Sequence, residues 1–434
     1  RDVSKEGGSV QMTIHVVQPG ETLYSIAGQY GADPELLRQA NGVPENSALA
    51  VGQTLVIQHI QAFHVVQQGQ TLASVARQYG ISRRALYRNN YWLLGKPALQ
   101  PGQTLVIAYS AEKLGGISTN GYAYPFIAPR QLGAVLPYMT YVTPFTYGIT
   151  AQGGLLPLDD GRILSEAARL GTAPLMHLST LTEDDNFSSE RAALLLSDRQ
   201  RQEELIAQME AVIAEKGYQG VDVDFEYIPG AQREAYAAFV ARLRERVAPL
   251  PVLVALAPKT WADQPGLLYE GHDYALLGAA ADYVLLMTYE WGYTYGPPMA
   301  VAPLPNVRQV VEYALSEIPQ EKIYLGIPDY GYDWPLPYRR GETRARSISN
   351  QRAVEIAVER RVEIAFDQRA QSPWFRYTDG GVTHEVWFED ARSMSAKLGL
   401  VSEYGLHGAG YWNLMRPNPQ GWTVLNALYD VEEA

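Results

Sequence analysis

Cysteine is absent from the chain of 434 residues. Disulfide bridges, thiolate nucleophiles and cysteine-based zinc sites are therefore excluded, whereas intracellular and secreted locations both stay open. The seven histidines show no HxH or HxxxH spacing, so we expect no catalytic metal. The sequence also has no Walker motif, no GxSxG motif and no dinucleotide fingerprint. We accordingly expect no cofactor.

Long apolar runs are missing as well. The best candidate, residues 276–287, is shorter than the roughly 18 residues that a membrane-spanning helix needs, and it contains Asp282. Residues 1–11 have neither an apolar segment nor a cleavage site of a secretory signal. We therefore expect a native start at Met12, no ordinary signal peptide and no association with a membrane.

Positive charge is scarce. The chain has 35 Lys and Arg against 47 Asp and Glu, which gives a net charge of -12. Nucleic acids and anionic membranes are bound by clustered Lys and Arg, so the charge argues against both as partners. Neutral or sugar-like ligands stay open. The composition, 47% hydrophobic and 19% charged, is that of a globular protein, and the length suggests about three domains.

An internal repeat stands at the start of the chain. HVVQPGETLYSIAGQYG at residues 15–31 returns as HVVQQGQTLASVARQYG at residues 64–80. Each copy continues through a second helical pattern to a closing strand that contains GQTLVI. Thr22 and Thr71 stand where an N-cap would open the first helix. Each unit is therefore predicted to fold as strand, helix, helix and strand.

The two units, residues 13–58 and 62–108, resemble LysM domains. The resemblance is carried by HVVxxGxTLxSxAxxYG, by Asn41 and Asn90, and by the closing GQTLVI. It implies binding to glycans that contain N-acetylglucosamine, such as peptidoglycan or chitin. The alternative interpretation is that the repeats are small structural spacers.

The rest of the chain alternates strand-like and helix-like patterns. Residues 109–120, rich in glycine and serine without periodicity, are predicted to be a linker. In residues 121–434 the strand-like segments are 121–127, 140–146, 174–181, 220–227, 252–257, 283–289, 322–327 and 406–413. Helical patterns such as residues 203–217 and 233–247 lie between them. This alternation predicts the α/β class and a (β/α)8 TIM barrel.

An insertion is predicted between the seventh and eighth strands. The chain there is about twice as long as a helix and its loops require. Residues 362–368, 372–378 and 384–390 alternate like short strands. We therefore expect a small β-rich insertion at about residues 335–390, beside the mouth of the barrel.

The stretch GVDVDFEYIP at residues 220–229 carries the strongest chemical signal. Asp222, Asp224 and Glu226 alternate with apolar residues, so a strand would place them on one face, about 6.6 Å apart. A solvated acidic edge or an ion-pair network would explain such a pattern in general. In a barrel, however, the inward positions are normally filled by Val, Ile and Leu, and active sites lie at the carboxyl ends of the strands. The barrel context therefore favours an active site, with Glu226 nearest the mouth.

Three segments carry a second resemblance. YQGVDVDFEYIP resembles the DGxDxDxE signature of glycoside hydrolase family 18, MTYEWG resembles its MxYD segment, and GAGYWNL resembles its eighth strand, which ends in a Trp. The segments NGYAYPFI, MTYEWGYTYGPPMAVAPL and GIPDYGYDW, together with the two LysM units, are similar to the LysM-containing spore peptidoglycan hydrolases of Bacillus and Clostridium relatives. The resemblance spans the chain after its first dozen residues.

The resemblance implies a role for each matching residue. Glu226 would protonate the leaving oxygen, Asp224 would hold the acetamido group of the substrate, and Asp222 would share a proton or hydrogen bond with Asp224 from beneath. Tyr289 would hydrogen-bond the acetamido carbonyl. The implied substrate-binding residues are Trp412 as a hydrophobic floor, Met287, Glu290, Tyr147, Asp329 and Tyr332.

Two positions depart from the family pattern. Gln219 stands where the signature has its first Asp, and Glu290 replaces the Asp that usually follows the Tyr. We interpret Gln219 as ending an acidic relay one carboxylate early, which would alter the pH dependence more than the activity. Glu290 keeps the charge but reaches further towards the acetamide.

The resemblance implies a glycosidase of the N-acetylglucosaminidase type that acts on peptidoglycan, above all spore cortex, by a retaining and substrate-assisted mechanism. We expect a monomer located in the spore coat, the cortex or the cell wall. A chitinase is the alternative within the same class of enzyme. A lectin-like glycan binder and a structural protein of the spore coat are the alternatives outside it, and the presence of Glu226 argues against the lectin.

Overall fold

Two copies of one small unit open the fold. The structure, a computed structural model, describes residues 12–184 and 186–434, so the expectation for residues 1–11 lies outside the described residues. The elements of the two units are β1 (Thr13–Val16), α1 (Leu23–Tyr30), α2 (Pro34–Ala40) and β2 (Thr54–Ile57), followed by β3 (Ile60–Val65), α3 (Leu72–Tyr79), α4 (Arg83–Asn89) and β4 (Thr104–Tyr109). In each unit the two strands pair antiparallel. The predicted strand, helix, helix and strand order is confirmed.

The first helix of each unit is opened by a threonine, as predicted. The Thr22 hydroxyl accepts a hydrogen bond from the Ser25 amide at 3.1 Å, and the Ser25 hydroxyl accepts one from the Thr22 amide at 2.9 Å. Thr71 and Ser74 form the same reciprocal pair in the second unit. Such capping boxes satisfy backbone donors that a helix start would otherwise leave unpaired.

The motif asparagines hold each unit together. Asn41 donates to the carbonyl oxygens of Leu37 and Val56 at 3.0 and 2.9 Å and accepts from the Val56 amide at 2.6 Å. Asn90 makes the equivalent three bonds in the second unit. Both side chains are buried, so these bonds tie the second helix to the closing strand.

A parallel barrel follows the repeats. Its first seven strand positions are filled by β5 (Gly115–Ala123), β6 (Tyr141–Pro144), β7 (Ala173–Pro174) with β8 (Met176–Ser179), β9 (Val221–Asp224), β10 (Val252–Leu256), β11 (Tyr283–Leu286) and β12 (Ile323–Pro328). The helices of this part are α5 (Pro129–Val135), α6 (Gly161–Leu170), α7 (Ser189–Ser197), α8 (Arg199–Lys216), α9 (Arg233–Val247), α10 (Leu267–Glu270), α11 (Tyr274–Ala280) and α12 (Leu304–Glu317).

The predicted insertion comes next. It contains β13 (Gly331–Pro335), β14 (Arg346–Ile348), α13 (Asn350–Arg360), β15 (Ala365–Asp367), β16 (Ser372–Asp379) and β17 (Val382–Trp387). The five strands form one antiparallel sheet in the order β14-β13-β17-β16-β15. The helix α13 packs its apolar side chains on this sheet, with Ala353 and Ile356 against Phe375 and Val386. The β-rich insertion is confirmed, and the helix within it was not predicted.

The barrel then closes. The last elements are α14 (Ala391–Tyr404), β18 (Gly408–Trp412), α15 (Pro419–Leu428) and β19 (Tyr429–Val431). The barrel sheet has the order β7-β6-β5-β18-β12-β11-β10-β9-β8, and its two end strands flank the single residue Leu175. They are halves of one strand, so the sheet returns on itself and the predicted (β/α)8 barrel is confirmed. None of the helices in the described ranges is long and apolar enough to cross a membrane.

One sequence prediction needs correction at the entrance to the barrel. Residues 109–120 were predicted to be a linker, yet Gly115–Asn120 belongs to β5, and Ile117 to Asn120 are buried. Small polar residues are compatible with this buried strand because their side chains form hydrogen bonds with residues of other strands. The Ser118 hydroxyl bonds the Tyr324 hydroxyl at 2.6 Å, and Thr143 donates to Asn120 at 2.8 Å. A polar composition therefore looked like a linker although the strand is internal.

Both repeats are packed on the barrel rather than held apart from it. In the first unit Val51 accepts a backbone bond from Ile364 of the insertion at 2.9 Å. Gln420 on α15 donates to Asn41 Oδ1 and the Thr54 carbonyl at 3.1 and 2.7 Å, and it accepts from the Thr54 hydroxyl at 2.7 Å. In the second unit Arg84 donates to the Gly171 carbonyl at 2.7 Å.

Gln420 offers a test of this docking. Its oxygen also accepts from the Ala391 amide at 3.0 Å, so Gln420→Ala leaves several enclosed polar groups without partners. We expect a loss of about 1–3 kcal/mol of docking free energy. Hydrogen exchange measured by mass spectrometry should then be faster around Asn41 and Thr54, with the barrel strands unchanged. The exposed Gln61→Ala is the control, and unaltered exchange in Gln420→Ala would contradict the docking role.

Candidate active site

A cleft of about 1240 Å³ opens at the carboxyl ends of the barrel strands. Six of the ten residues implied by the sequence line this cleft: Asp224, Glu226, Met287, Tyr289, Glu290 and Trp412. Aromatic residues form much of the remaining wall, namely Tyr122, Tyr124, Phe126, Phe145, Phe187, Tyr227, Tyr269, Trp291 and Tyr293. The position agrees with the rule for such barrels, in which sites are built from the ends of several strands.

The three acids line up from the barrel interior to the mouth. Asp222 is fully buried, Asp224 is 6% exposed, and Glu226 is half-buried two residues beyond the end of β9. The alternate residues pack outwards: Phe225 stacks on Tyr236 and Phe239 of α9 with ring centroids 5.3 and 5.6 Å apart. This aromatic packing fixes which face of the segment turns inwards, and the acids therefore point into the barrel.

Burial dominates the electrostatics of these acids. It raises the pKa of Asp222 well above its usual value, with Tyr122 and Asn120 opposing that shift and Asp224 adding to it. It also raises the pKa of Asp224 to about 7. Burial, and then the charges of Asp224 and Glu290, raise the pKa of Glu226 well above its usual value. Both effects favour the protonated form of the Glu226 carboxyl, which is the form that can donate a proton.

Tyr289 faces the acids from the end of β11. Burial raises its pKa, and the charges of Asp224 and Glu226 add to the shift, so its hydroxyl keeps its proton and can donate a hydrogen bond. Gly326 on β12 makes the space for this ring. A Cβ at Gly326 would lie 2.2 Å from the Leu286 carbonyl oxygen and 2.9 Å from Tyr289 Cε1.

Trp412 belongs to an aromatic wall at the end of β18. Its ring centroid lies 5.5 Å from that of Tyr122, 5.0 Å from Phe145 and 6.2 Å from Tyr124. The indole is only partly buried, so one part of it remains available to the cleft. Rings held in this way present an apolar surface of the kind on which sugar rings stack.

Glu290 is held by two tyrosines. Tyr332 donates to its two oxygens at 3.0 and 3.3 Å, and Tyr330 donates to Oε1. Burial raises the pKa of Glu290, while the two hydroxyls oppose the shift. Its φ of 67° lies in the left-handed region, which non-glycine residues adopt mainly where surrounding structure fixes them. Because Tyr332 comes from β13, the insertion helps to form the site.

Three of the six implied substrate-binding residues, Tyr147, Asp329 and Tyr332, do not line the cleft. Tyr147 is 1% exposed, and its hydroxyl bonds Lys216 at 2.8 Å and also Asp160 on the outer side of the barrel. Side chains alternate along an extended chain, so Thr146 faces the cleft and Tyr147 faces away. Its expected contact with substrate is corrected to a structural role. Tyr332 contacts Glu290 by its hydroxyl and does not itself line the cleft.

Asp329 is the third of these residues. It is 1% exposed, and its amide donates to the Trp412 carbonyl at 3.0 Å, while Asn350 of the insertion lies 3.5 Å from its carboxylate. It therefore joins the barrel to the insertion beneath Trp412, and its expected place among the substrate-binding residues is corrected.

The interpretation of Gln219 is also wrong. Gln219 is exposed at the amino end of β9, where its side chain donates to the Gly217 carbonyl at 3.3 Å. Three residues of extended chain, about 10 Å, separate it from Asp222, and the alternation turns it towards the outer side. It cannot extend the row of acids, so the row begins at Asp222.

The structure also brings in residues that the sequence did not single out. His177 and Thr146 lie beside the acids, and Asn120 lies 3.5 Å from Asp222. His177 lies on β8, Asn120 lies on β5, and Thr146 follows β6, so only the three-dimensional arrangement of these segments identifies them. Among the described residues no group of three His, Asp or Glu side chains could hold a metal ion.

The fold and the site define a barrel enzyme whose acidic donor and aromatic wall suit a glycan. Residues 183–416 match glycosyl hydrolases family 18, and residues 15–58 and 64–108 match the LysM domain. The chain belongs to glycosyl hydrolase family 18 and carries two LysM domains at its amino end.

Relatives match along nearly the whole chain. The cortical fragment-lytic enzyme of Bacillus subtilis (strain 168) is 40% identical over 97% of this chain and 99% of the relative. The crystal structure of the Bacillus cereus spore cortex-lytic enzyme SleL superposes with a TM-score of 0.83, at 32% identity over 98% of this chain and 99% of that one. The SleL structure from Bacillus megaterium QM B1551 gives a TM-score of 0.82, at 36% identity over 98% of this chain and 100% of that one.

Glu290 provides a test of the charge coupling in the site. Its negative charge helps to raise the pKa of Glu226, so Glu290→Gln should lower that pKa by on the order of one unit. Carboxyl titration by NMR of protein with carbon-13-labelled glutamate measures the shift. The exposed Glu363→Gln is the control and should leave Glu226 unchanged. An unaltered titration of Glu226 in Glu290→Gln would refute the coupling.

Proposed function

We propose that the chain hydrolyses N-acetylglucosamine linkages in peptidoglycan of the spore cortex, with retention of configuration and with assistance from the substrate. The observation that carries this proposal is the meeting of Glu226, Asp224 and Tyr289 on one wall of the cleft. A protonated carboxyl, an ionisable carboxylate and a neutral phenol are the groups that this chemistry needs.

In the first step the 2-acetamido oxygen of the substrate attacks the anomeric carbon, and the bond to the leaving oxygen breaks. Glu226 gives its proton to that oxygen, while Asp224 accepts a hydrogen bond from the acetamido N–H and offsets the positive charge of the oxazolinium. Tyr289 donates to the acetamido carbonyl oxygen. Water then attacks the anomeric carbon, Glu226 takes its proton, and the acetamide is restored.

The substrate class follows from this chemistry and from the relatives. An N-acetyl group must be present on the sugar whose anomeric carbon reacts. N-acetylglucosamine fulfils this condition. In muramic acid the lactyl ether at O3 crowds the position next to the acetamido group, so cleavage after this sugar is disfavoured. The names of the relatives, cortical fragment-lytic enzyme and spore cortex-lytic enzyme, support cortex as the source of the glycan. The same names support a location in the spore or its wall.

The LysM domains would hold the same glycan beside the cleft. Both are docked on the barrel by hydrogen bonds, among them those of Gln420 and Arg84. A bound strand would therefore be presented to the cleft in a fixed orientation, which raises its effective concentration at the acids.

Glu226→Gln tests the enzyme proposal. Loss of the proton donor should reduce release of reducing sugar from purified cortex fragments by about 100- to 10,000-fold. Binding to the fragments should persist, because the LysM domains and the aromatic wall are unchanged. Mass spectrometry of the released fragments identifies the bond, with N-acetylglucosamine expected at the new reducing end.

The controls separate catalysis from folding. The exposed Glu363→Gln should retain wild-type release. Because the pKa of Glu226 is raised in the folded state, its ionisation disfavours folding as the pH rises through that pKa, and the neutral glutamine should not lower stability at neutral pH. Binding without release by the wild-type protein would instead support the lectin alternative.

A further inference from the structure

A buried histidine lies directly beneath the acids and has no part in the proposed reaction. His177 on β8 is fully buried, and its backbone pairs in register with Asp222 on β9. The ring is packed against Phe145, with centroids 4.8 Å apart, and edge-on to Tyr122 at 5.6 Å. These contacts fix the plane of the imidazole and the direction in which its nitrogens point.

The two ring nitrogens have different surroundings. Nδ1 lies 2.6 Å from the Thr146 hydroxyl. Nε2 lies 3.8 Å from Asp224 Oδ2, and within the described chain it has no hydrogen-bond partner. Asp224 Oδ1 lacks a partner among the same residues. Nε2 therefore faces the Oδ2 side of a buried carboxylate just beyond hydrogen-bonding distance, while Oδ1 of the same carboxylate has no partner, and leaving buried polar atoms such as Nε2 and Oδ1 unpaired is unfavourable.

We propose that His177 is a positioning residue that donates its Nε2–H to the Asp224 carboxylate and so fixes the orientation and the charge of the group that holds the acetamide. This inference builds on the proposed function, because it assigns a partner to Asp224. The present separation exceeds a hydrogen bond by roughly 1 Å, and such bonds in unliganded active sites often shorten only when substrate binds.

The proposal requires that Thr146 donates its hydroxyl hydrogen to His177 Nδ1. This hydroxyl has a single hydrogen to donate, and His177 Nδ1 is its nearest partner at 2.6 Å, compared with 3.0 Å for Ser179 Oγ and 3.2 Å for the Tyr147 carbonyl. When Thr146 donates to Nδ1, the ring proton is on Nε2 and points at Asp224. The opposite tautomer would set the Nε2 lone pair against the carboxylate, which is repulsive when Asp224 is ionised, as the proposed reaction requires.

The imidazole acts as a neutral donor. Burial lowers the pKa of His177 to about 3, so it carries no charge at the pH at which Asp224 titrates. A neutral donor stabilises the ionised carboxylate through the hydrogen bond alone. It adds no cation that would compete with the positive charge of the oxazolinium.

The other titratable groups around Asp224 set a common background. They are Asp222 and Glu226 on its own segment, Tyr122 at the end of β5, Tyr227 after β9, Tyr236 on α9 and Tyr289 after β11. Glu290 acts on Glu226 from the loop after β11. These groups are the same in every variant of His177, so a difference between two such variants reports the donor itself.

Two replacements of similar shape separate the donor from its volume. His177→Gln places an amide N–H near the position of Nε2, whereas His177→Met fills the space without a donor. We expect the carboxyl pKa of Asp224, measured by NMR with carbon-13-labelled aspartate, to be higher by on the order of one unit in His177→Met and close to the wild-type value in His177→Gln. Equal values in His177→Met and the wild-type protein would overturn the proposal.

The activity provides a second readout. Because Asp224 must be ionised to hold the acetamide, the acid limb of kcat/KM on cortex fragments should move to higher pH in His177→Met, with roughly tenfold lower activity on that limb. His177→Gln should restore the limb. A purely structural role would lower activity evenly at all pH values, or destabilise both variants equally, and either result would contradict the proposal.

The tautomer can be measured without any variant. Nitrogen-15 NMR of the wild-type protein should show His177 protonated on Nε2 and unprotonated on Nδ1, and a proton on Nδ1 would refute the inference even if both variants failed to fold. The carboxyl titration and the tautomer do not require turnover. Failure of the wild-type protein to release sugar would therefore defeat the proposed function while these two measurements still decided the role of His177.

Discussion

The enclosure of carboxylates inside the barrel is the constraint on which the rest of the site depends. Asp222 and Asp224 are almost completely removed from water, where ionised groups are unfavourable unless they are paired. The described residues offer them amides, hydroxyls and an imidazole as neighbours, and no lysine or arginine is among the groups that shift their pKa values. Burial therefore favours the protonated forms of these acids, and in the proposed mechanism Glu226 supplies the proton.

The surrounding elements maintain that enclosure. The stack of Phe225 on α9 keeps the acidic face turned inwards, and Gly326 allows Tyr289 to close the site from β11. The insertion contributes Tyr332, which holds Glu290 at the mouth, and it also bonds the first LysM domain through Ile364. The insertion therefore contacts both the first LysM domain and the cleft, so the two parts of the protein are held in a fixed arrangement.

The sequence was sufficient for the features that repeat along the chain. The LysM repeats, the alternation of strands and helices, and the inward row Asp222, Asp224 and Glu226 follow from periodicity and from family resemblance. It was insufficient where the answer depends on contacts between distant segments. Gly115–Asn120 looked like a linker because its polar groups find their partners in other strands. Tyr147 was expected in the cleft. Its side chain points outwards because of the local course of the chain after β6, which the sequence pattern does not specify.

His177 shows the same limit from the other side. A lone histidine in the sequence MHLS carries no motif, and its place beside Asp224 exists only because β8 and β9 pair in a particular register. Its neighbour Thr146 comes from a third strand end, after β6. The direction in which the His177 ring nitrogens point thus depends on β8, β9 and the chain after β6. The spacing of residues within any one of these segments does not reveal it.

The protonation of Asp222, Asp224 and Glu226 bears on whether the cleft favours the neutral substrate or the charged oxazolinium. Burial raises the pKa values of Asp222 and Glu226 well above their usual range and that of Asp224 to about 7, so negative charge inside the barrel is disfavoured, and in the proposed mechanism Asp224 carries it. A neutral sugar gains little from this charge, whereas an oxazolinium gains much from it in a buried site of low dielectric. In the proposed mechanism the cleft would therefore stabilise the charged intermediate more than the substrate, through the ionised carboxylate of Asp224.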